Sequence, residues 1–355
     1  MADSKPALYQ EYPDPADEAI LKKLIPLITD TIDKSYDNGL TYRDTHSKGH
    51  AAVRAEFIVD ADLPADLAIG LFAKPKTYPA WVRFSNLNPT PQSDMIPDAR
   101  ACGIKLMGVE GEMLWSSEPA AKTLDFLMMG TPAFLAPNLA AFYDFQVALN
   151  QRGWRMFWYF VSHLSTTMTI QDGSKPTPSL LEIEQWSQTA YALGNKAVQY
   201  HMRPLTKKQS PMPLTPRRNF LRERLAADLE QEAYEFEFMV RFQTDPVKQP
   251  IENPRVRWPA LSPYRRVAIL RFPRQRGILA TEQVFFCENL SFNPWRTLPE
   301  HRPLGGINRA RRFVYEAVAE YRRSRNLAPA AEPTPESSSV TLLPSDGALI
   351  SGGNR

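Results

Sequence analysis

The sequence predicts an α+β fold built around a large antiparallel sheet or barrel. Two blocks of short strands alternate with helical stretches. The chain contains 32 prolines in 355 residues, which disfavours an all-helical bundle. A chain of this length can bury one large core. We therefore expect one domain over residues 1–326 and a disordered, Ala/Pro/Ser-rich tail over residues 327–355.

The N-terminal third combines an extended arm, one helix and several strands. Residues 1–15 are expected to form the arm. From Asp17 to Tyr36, apolar residues recur at helical spacing, and Asn38-Gly39 is expected to end that helix. Short runs rich in β-branched and aromatic residues then follow, separated by Pro- and Asn-rich turns. These runs predict strands at 52–59, 81–85 and 102–107.

The rest of the chain mixes helices with further strands. Residues 138–202 are expected to be mainly helical, with a loop at 171–178. Every second residue from Tyr234 to Phe242 is aromatic or apolar, which predicts a strand with one buried face. The remaining expected elements are strands at 267–272 and 283–287 and a helix at 306–326.

The bulk composition narrows the class of protein. A formal net charge of +3 gives no strong case for a nucleic-acid partner or a membrane surface. Two cysteines do not make a disulfide framework and fit a reducing compartment. No apolar signal region is present, and no apolar run reaches the ~18 residues of a membrane span. We therefore expect a cytoplasmic protein without a transmembrane segment.

Two motifs about 270 residues apart suggest a haem site. RDTHSKG at 43–49 places His46 beside basic residues, and RRFVY at 311–315 places an Arg one helical turn before Tyr315. A tyrosinate is a known axial haem ligand, and a His on the opposite face can move protons on a peroxide. Taken alone, such a His is more often a surface or capping residue, and such an Arg–Tyr pair is a common surface pair.

Five further segments between these motifs carry a resemblance to haem catalases. They keep the order that the family has: VRFS at 82–85, DARACGIK at 98–105, TPAF at 131–134, FYDF at 142–145 and ENLSFNP at 288–294. With the two end motifs they cover residues 43–315. The chain resembles a minimal catalase-related haem protein, a group that includes small peroxidases and allene oxide synthases. The resemblance implies a catalase-like antiparallel β-barrel with surrounding helices and haem b as cofactor.

The resemblance implies that His46 and Tyr315 carry the chemistry. His46 would take a proton from one oxygen of a bound hydroperoxide and return it to the other. Tyr315 would bind the iron. The positive charge of Arg311, one turn earlier, is expected to lower the pKa of that phenol and keep it anionic. Arg312 is an alternative partner in this role.

The resemblance implies that arginines and aromatic side chains hold the haem. Arg43, Arg83 and Arg311 would pair with the propionates or the ligand, because guanidinium groups bind carboxylates bidentately. Phe142 would stack on the distal face and Phe134 would line the cavity. Ordinary surface arginines and core aromatics remain the alternatives. His201 is expected to lie near the proximal side and to support the site without touching the haem. The aromatic run at 154–160 is expected to pack in the core or in a dimer interface, with a pocket wall or a membrane contact as alternatives.

Departures from the catalase pattern concern the substrate. Thr45 stands where catalases carry Val, and its hydroxyl is expected to hydrogen-bond the imidazole and weaken its handling of hydrogen peroxide. Residues 127–130 offer no amide where catalases carry an Asn that orients peroxide, so disproportionation should be slower. The proximal Asp of the pattern is missing at 303–306.

These departures favour one of three hypotheses about function. The first is a haem-dependent peroxidase or hydroperoxide-converting enzyme acting on organic or lipid hydroperoxides. The second is a low-turnover catalase, and the third is a barrel that binds haem or an apolar ligand without turnover. A homodimer is compatible with all three.

Overall fold

The strands of the protein form one large sheet and a small two-stranded ribbon. The computed structural model describes residues 6–36, 40–115, 121–328, 332–337 and 340–343. The strands are β1 (Gly49–Val59), β2 (Thr77–Asn86), β3 (Arg100–Leu106), β4 (Leu124–Met129), β5 (Gln185–Trp186), β6 (Tyr191–Leu193), β7 (Lys196–Pro204), β8 (Tyr234–Phe242), β9 (Arg265–Phe272), β10 (Gln275–Arg276) and β11 (Thr341–Leu342).

Eight antiparallel strands close into a barrel. The pairing runs β5-β4-β3-β2-β1-β9-β8-β7, and β5 also pairs with β7, which closes the ring. Closure removes the unpaired edges that an open sheet would expose. β6 pairs with β7 outside the ring, and β10 pairs with β11. The predicted α+β fold with an antiparallel barrel is confirmed.

Aromatic side chains fill the barrel. Phe238 of β8 packs edge-on against Phe57 of β1 with ring centroids 5.0 Å apart, and it lies 4.8 Å from Phe126 of β4. All three rings are at most 2% exposed. The alternation predicted for β8 therefore points its aromatic face inward, as the two-residue period of a strand requires.

Helices surround the barrel and cover part of its outer face. They are α1 (Asp17–Ser35), α2 (Leu139–Gln151), α3 (Gly153–Ser162), α4 (Leu164–Gly173), α5 (Phe220–Gln231), α6 (Thr281–Asn289) and α7 (Gly306–Asn326). α1 packs against α2 and α7 through a second apolar cluster that includes Leu24, Ile28 and Val314. The predictions of α1 and α7 are confirmed, while Asn38-Gly39, expected to end α1, lies outside the described residues.

Two predictions of secondary structure are wrong. The helices of the 138–202 segment end at Gly173, and β5, β6 and most of β7 occupy its last part. Residues 283–287, predicted as a strand, lie in α6. Gln283 and Cys287 lie one turn apart on the buried side of that helix, and the Gln283 amide donates to the Ala52 carbonyl at 2.7 Å. A short apolar run fits either structure, and packing decides between them.

Both chain ends described by the structure are held by ion pairs. In the N-terminal arm, residues 6–16 form no helix or strand, and Glu11 pairs with Arg302 at 2.5 Å and Arg309 at 2.7 Å. In the tail, Glu332 is buried and pairs with Lys105 at 2.6 Å. The described tail residues 332–337 and 340–343 include buried Glu332 and Val340, the other residues beyond 328 lie outside the described part, and the disorder expected of the tail stays a prediction.

The buried ion-pair network around Glu332 gives a stability prediction. Lys105 also contacts Asp125 at 2.7 Å, and Arg296 contacts Glu332 at 3.0 Å. Removing one member of such a network leaves an uncompensated buried charge. Glu332→Ala is expected to lower the free energy of unfolding by about 3 kcal/mol, measured by urea denaturation. The exposed Glu336→Ala is the control, and a loss in Glu332→Ala no larger than the small change expected in the control would contradict the prediction.

Candidate active site

A largely apolar cavity of about 700 Å³ lies between the barrel and the helices α1, α2, α3, α4 and α7. This volume is within the range of ligand pockets, about 300–1,000 Å³. Arg83 and Ser85 reach it from β2 because they alternate with Val82 and Phe84, which face the barrel core. All the site residues expected from the sequence line this one cavity: Arg43, Thr45, His46, Arg83, Phe134, Phe142, Arg311 and Tyr315.

The backbone of His46 is held in an unusual conformation. Its φ angle is 59°, in the left-handed region that non-glycine residues seldom adopt. The His46 N–H donates to the Leu87 carbonyl at 3.1 Å, and the His46 carbonyl accepts from Arg83 at 3.1 Å. A strained backbone that its surroundings fix so firmly is typical of functional sites.

The imidazole of His46 is neutral at ordinary pH. Burial is the main cause that lowers its pKa from 6.5 to about 3, and the positive charges of Arg83 and Arg43 add to the effect. Ser85 Oγ lies 3.3 Å from Nδ1. When Nδ1 carries the proton and donates to Ser85, Nε2 is left with a free lone pair. The ring is therefore a neutral hydrogen-bond acceptor toward the cavity and, with so low a pKa, a weak base.

Two arginines of the site meet on a buried glutamate, the first residue of the ENLSFNP motif, to which the sequence analysis gave no role. Glu288 of α6 is 2% exposed, and its carboxylate lies 3.3 Å from Arg43 and 3.2 Å from Arg83. Gly49 makes this possible, because a Cβ there would lie 2.8 Å from the Arg83 guanidinium and would also collide with the Glu288 carboxylate. The glycine of the RDTHSKG motif is thus required by the ion pair.

A third arginine, Arg322, joins the same cluster. Its guanidinium donates to the Glu288 carbonyl at 2.6 Å, and it lines the cavity beside Tyr315. Burial lowers the pKa of Arg322 to about 10, and burial with the neighbouring charges of Arg83 and Arg322 lowers that of Arg43. Arg322 lies seven residues after Tyr315, two helical turns along the same face of α7, and that spacing was a signal available in the sequence.

Arg311 and Tyr315 both line the cavity from α7, but the described hydrogen bonds do not join them. Arg311 donates to Asn308 at 3.0 Å and to Thr189 at 3.2 Å. Its guanidinium also lies 5.5 Å from the centroid of the Phe134 ring. The described contacts of Arg311 thus hold it against Asn308, Thr189 and Phe134, and its expected pairing with the phenol stays a prediction.

Aromatic residues form another wall, as expected for Phe134 and Phe142. Their ring centroids are 5.6 Å apart, and Phe142 lies 6.3 Å from Phe145 of the same helix. Asn138 caps α2 by accepting from the Ala141 N–H at 2.9 Å, which fixes where the helix begins. The cap on α2 therefore fixes the position from which Phe142 enters the cavity wall.

Two expectations about polar groups need correction. Among the described contacts, Ser85 and not Thr45 supplies the hydroxyl beside the His46 imidazole, although Thr45 lies in the cavity wall. His201 is not among the lining residues; it lies 2.8 Å from Glu184 and stacks on Trp186 at 4.8 Å. The contacts of His201 therefore do not support the expectation that it lies near the site.

The core packing expected for the aromatic run at 154–160 is contradicted by its exposure. α3, which carries the run, buries none of its residues. Trp154 is 68% exposed and Phe157 55%. Met156 and Phe160 line the cavity, so the alternative of a pocket wall holds for these two residues. Packing in a dimer interface stays a prediction.

A buried carboxyl–amide pair, which the sequence did not reveal, lines the cavity near His46. Asp44 accepts from the Gln146 amide at 3.1 Å, and both side chains are buried. Asp44 Oδ1 and Gln146 Oε1 have no hydrogen-bond partner among the described residues. Burial raises the pKa of Asp44 to about 6, although the Gln146 hydrogen bond opposes it.

Asp44→Asn is expected to stabilise the protein at neutral pH. The folded chain keeps a proton that the unfolded chain releases between about pH 4 and pH 6, so the Asp44 contribution to stability falls as pH rises through that window. An Asn removes the charge and can donate to Gln146 Oε1. We expect a gain of about 2–3 kcal/mol at pH 8 and none at pH 4, measured by urea unfolding at both pH values. An equal gain at both would contradict the assignment, and exposed Asp172→Asn is the control.

The residues of the cavity fit a haem. Arg43, Arg83 and Arg322 carry three positive charges around the single carboxylate of Glu288, which leaves an excess of two. A haem b has two propionate groups, which would balance that excess. Tyr315 carries a phenol oxygen of the kind that binds haem iron, and His46 carries an imidazole, in the walls of the same cavity.

Solved structures with the same architecture are catalases. A fungal catalase matches with a TM-score of 0.66 and 18% sequence identity, over 95% of this chain and 69% of that chain. Catalase A from Saccharomyces cerevisiae matches with a TM-score of 0.67 and 18% identity, over 99% of this chain and 75% of that one. A bacterial catalase gives 0.63 and 18%, over 100% and 72%.

The chain has the catalase fold. No family model and no curated protein matches the sequence. The catalase-like architecture predicted from the motifs is thus confirmed by structure. Within this catalase fold, the first and the last motif of the resemblance meet at one cavity. The subgroup of catalase-related proteins stays a prediction.

Proposed function

We propose that the protein is a haem-dependent enzyme that converts organic or lipid hydroperoxides, either as a peroxidase or by rearranging the substrate. The observation that carries the proposal is the presence of His46 and Tyr315 in one cavity, although about 270 residues separate them in the chain. The catalase fold supports a haem enzyme. The arginine cluster supports a dianionic cofactor.

In this proposal, side chains of the protein contact both faces of the haem and its two carboxylate groups. Tyr315 would bind the iron, Arg43, Arg83 and Arg322 would hold the propionates, and the aromatic wall would contact the ring. A bound haem would supply an iron for the peroxide oxygen and the redox capacity to break the O–O bond. The protein groups orient the cofactor and keep water out of the apolar part of the cavity.

His46 moves the proton in the proposed reaction. With its pKa lowered to about 3, the ring is neutral across the physiological range and is a weak base, so Nε2 would hold the hydroperoxide proton only transiently and would release it readily. Ser85 and the backbone bonds to Leu87 and Arg83 fix the ring in place. Return of that proton to the leaving oxygen would neutralise it and assist its departure.

The walls of the cavity favour an organic substrate over hydrogen peroxide. Leu127 and Met129 of β4 face it, in the stretch where catalases carry an amide. Thioether and alkyl groups cannot donate a hydrogen bond that would hold a small polar peroxide, but they pack well against an alkyl chain. A carbon-bearing hydroperoxide is therefore the better match.

The test is a comparison of two activities in one preparation. We expect consumption of a fatty-acid hydroperoxide to exceed oxygen evolution from hydrogen peroxide. Slow but clear oxygen evolution with no hydroperoxide consumption would make the protein a catalase of low turnover instead. Absence of both activities in a haem-loaded protein would leave only ligand binding and would overturn the proposal.

A further inference from the structure

The stretch of chain at the end of α6 forms part of the cavity wall and also holds an arginine of the site. We call residues 288–292 the wall segment. Its last three residues line the cavity. Arg43 donates to two main-chain carbonyls of the segment, that of Glu288 at 3.1 Å and that of Leu290. The position of the wall segment therefore decides where the guanidinium group of Arg43 lies.

The wall segment has little secondary structure to fix it. α6 ends at Asn289, and residues 290–298, all of which the structure describes, form neither a helix nor a strand. Buried main-chain groups outside helices and strands need other hydrogen-bond partners. The position of the segment therefore depends on its tertiary contacts.

Several of those contacts involve Glu332, which comes from the C-terminal tail. Ser291 Oγ donates to the Glu332 carboxylate at 3.3 Å. Arg296 donates to the Ser291 carbonyl at 3.1 Å and to its hydroxyl at 2.9 Å, and it pairs with Glu332 at 3.0 Å. The Glu332 side chain is 2% exposed, so these three residues contact one another away from water.

The same glutamate balances the charges behind Phe292 of the wall. Lys105 lies 5.5 Å from the centroid of the Phe292 ring, and it pairs with Glu332 at 2.6 Å and with Asp125 at 2.7 Å. Asp125 also pairs with Arg296 at 3.0 Å. Two positive and two negative side chains thus meet here, and loss of the Glu332 charge would leave one buried positive charge unbalanced.

We propose that Glu332 is a positioning residue of the site, which fixes the wall segment from the tail and thereby the main-chain oxygens that hold Arg43. Glu332 is not one of the described residues that line the cavity, so its effect reaches the site through Ser291 and Arg296. The inference goes beyond the proposed function, because it concerns the wall whether or not a cofactor is bound.

General stabilisation of the fold is the alternative role for Glu332. Other described contacts also hold the tail: Trp81 Nε1 donates to the Thr334 carbonyl at 3.0 Å, and Val340 is buried in the main core. These contacts do not involve the wall segment. A local effect of Glu332 on the wall can therefore be separated from detachment of the tail.

Hydrogen exchange of the full chain, followed by mass spectrometry, tests the proposal. The amides of Leu290, Asn293 and Arg296 are hydrogen-bonded and report on the wall. Glu332→Gln keeps the size of the side chain and removes its charge. We expect it to speed exchange in residues 288–296 at least about tenfold, because local opening sets the exchange rate.

Glu11→Gln is the matched control. Glu11 also ties a chain end to two basic residues, since it pairs with Arg302 at 2.5 Å and with Arg309 at 2.7 Å. Exchange in residues 288–296 should stay unchanged in this variant. Ser291→Ala is a milder second variant in case Glu332→Gln does not fold, and it should speed exchange at the same amides.

Haem transfer to an excess of apomyoglobin tests the step from the wall to Arg43. If the proposed function holds, Glu332→Gln should lose haem at least about tenfold faster than Glu11→Gln, because Arg43 would hold a propionate less well. Equal haem loss in the two variants would contradict this step.

Two results of the exchange measurement would overturn the proposal. One is the same exchange in residues 288–296 for Glu332→Gln and Glu11→Gln. The other is faster exchange spread evenly over the whole chain, because Glu332 would then stabilise the fold without positioning the wall. A protein that takes up no haem would contradict the proposed function, while the exchange measurement would still decide the role of Glu332.

Discussion

His46→Asn is expected to lower turnover of a soluble organic hydroperoxide by about 10²–10⁴-fold, the usual contribution of a positioned acid–base group. Asn is the matched replacement because it tolerates the left-handed backbone at φ 59° better than Ala and has no titrating nitrogen. Haem content and thermal stability should stay close to those of the unchanged protein. The measurement is initial rate per bound haem.

The control for this prediction is His163→Ala, an exposed histidine that does not line the cavity. It should retain full turnover. If a His46→Asn variant bound haem and kept the original rate, the proposal that His46 transfers the proton would be wrong, whatever the substrate.

Tyr315→Phe is expected to abolish the tyrosinate-type absorption of the haem-loaded protein and to weaken haem retention on gel filtration. The phenyl ring keeps the packing on α7 but has no oxygen for the iron. The loss should appear in the spectrum even before turnover is measured, because the spectrum reports the ligand directly.

Tyr321→Phe is the matched control on the same helix. Its hydroxyl bonds Asp33 of α1 and not the cavity, so only a small loss of stability is expected. Equal spectra for the Tyr315→Phe variant and the unchanged protein would show that another residue holds the iron.

Strong periodicity made parts of the fold predictable. α7 and β8 carry clean patterns of 3.6 and two residues, and both have the predicted ends. The hydrophobic patterns alone did not show the closure of the barrel, which only the resemblance implied, because closure depends on β5, a strand of two residues that pairs with both β4 and β7. α6 was mistaken for a strand because its short apolar run fits either period, and only packing against β1 decides.

The sequence predicted the site residues that stand in recognisable motifs. It did not predict the contacts that distant segments make with one another in the folded chain. His46 and Tyr315 stand in recognisable motifs. Glu288 stands at the start of the ENLSFNP motif, but its role depends on arginines from three distant segments that meet at its carboxylate and its main-chain carbonyl, so the motif alone did not reveal it. The Asp44–Gln146 pair likewise joins residues 102 positions apart. Such contacts come from tertiary packing, which a single sequence does not reveal.

The absorption spectrum of the purified, haem-supplied protein tests the central claim most directly. If Tyr315 faces His46 across a haem, the spectrum should be that of a high-spin ferric haem with a tyrosinate ligand. A protein that stays colourless in the presence of haem, or that shows a spectrum unchanged by Tyr315→Phe, would contradict the account.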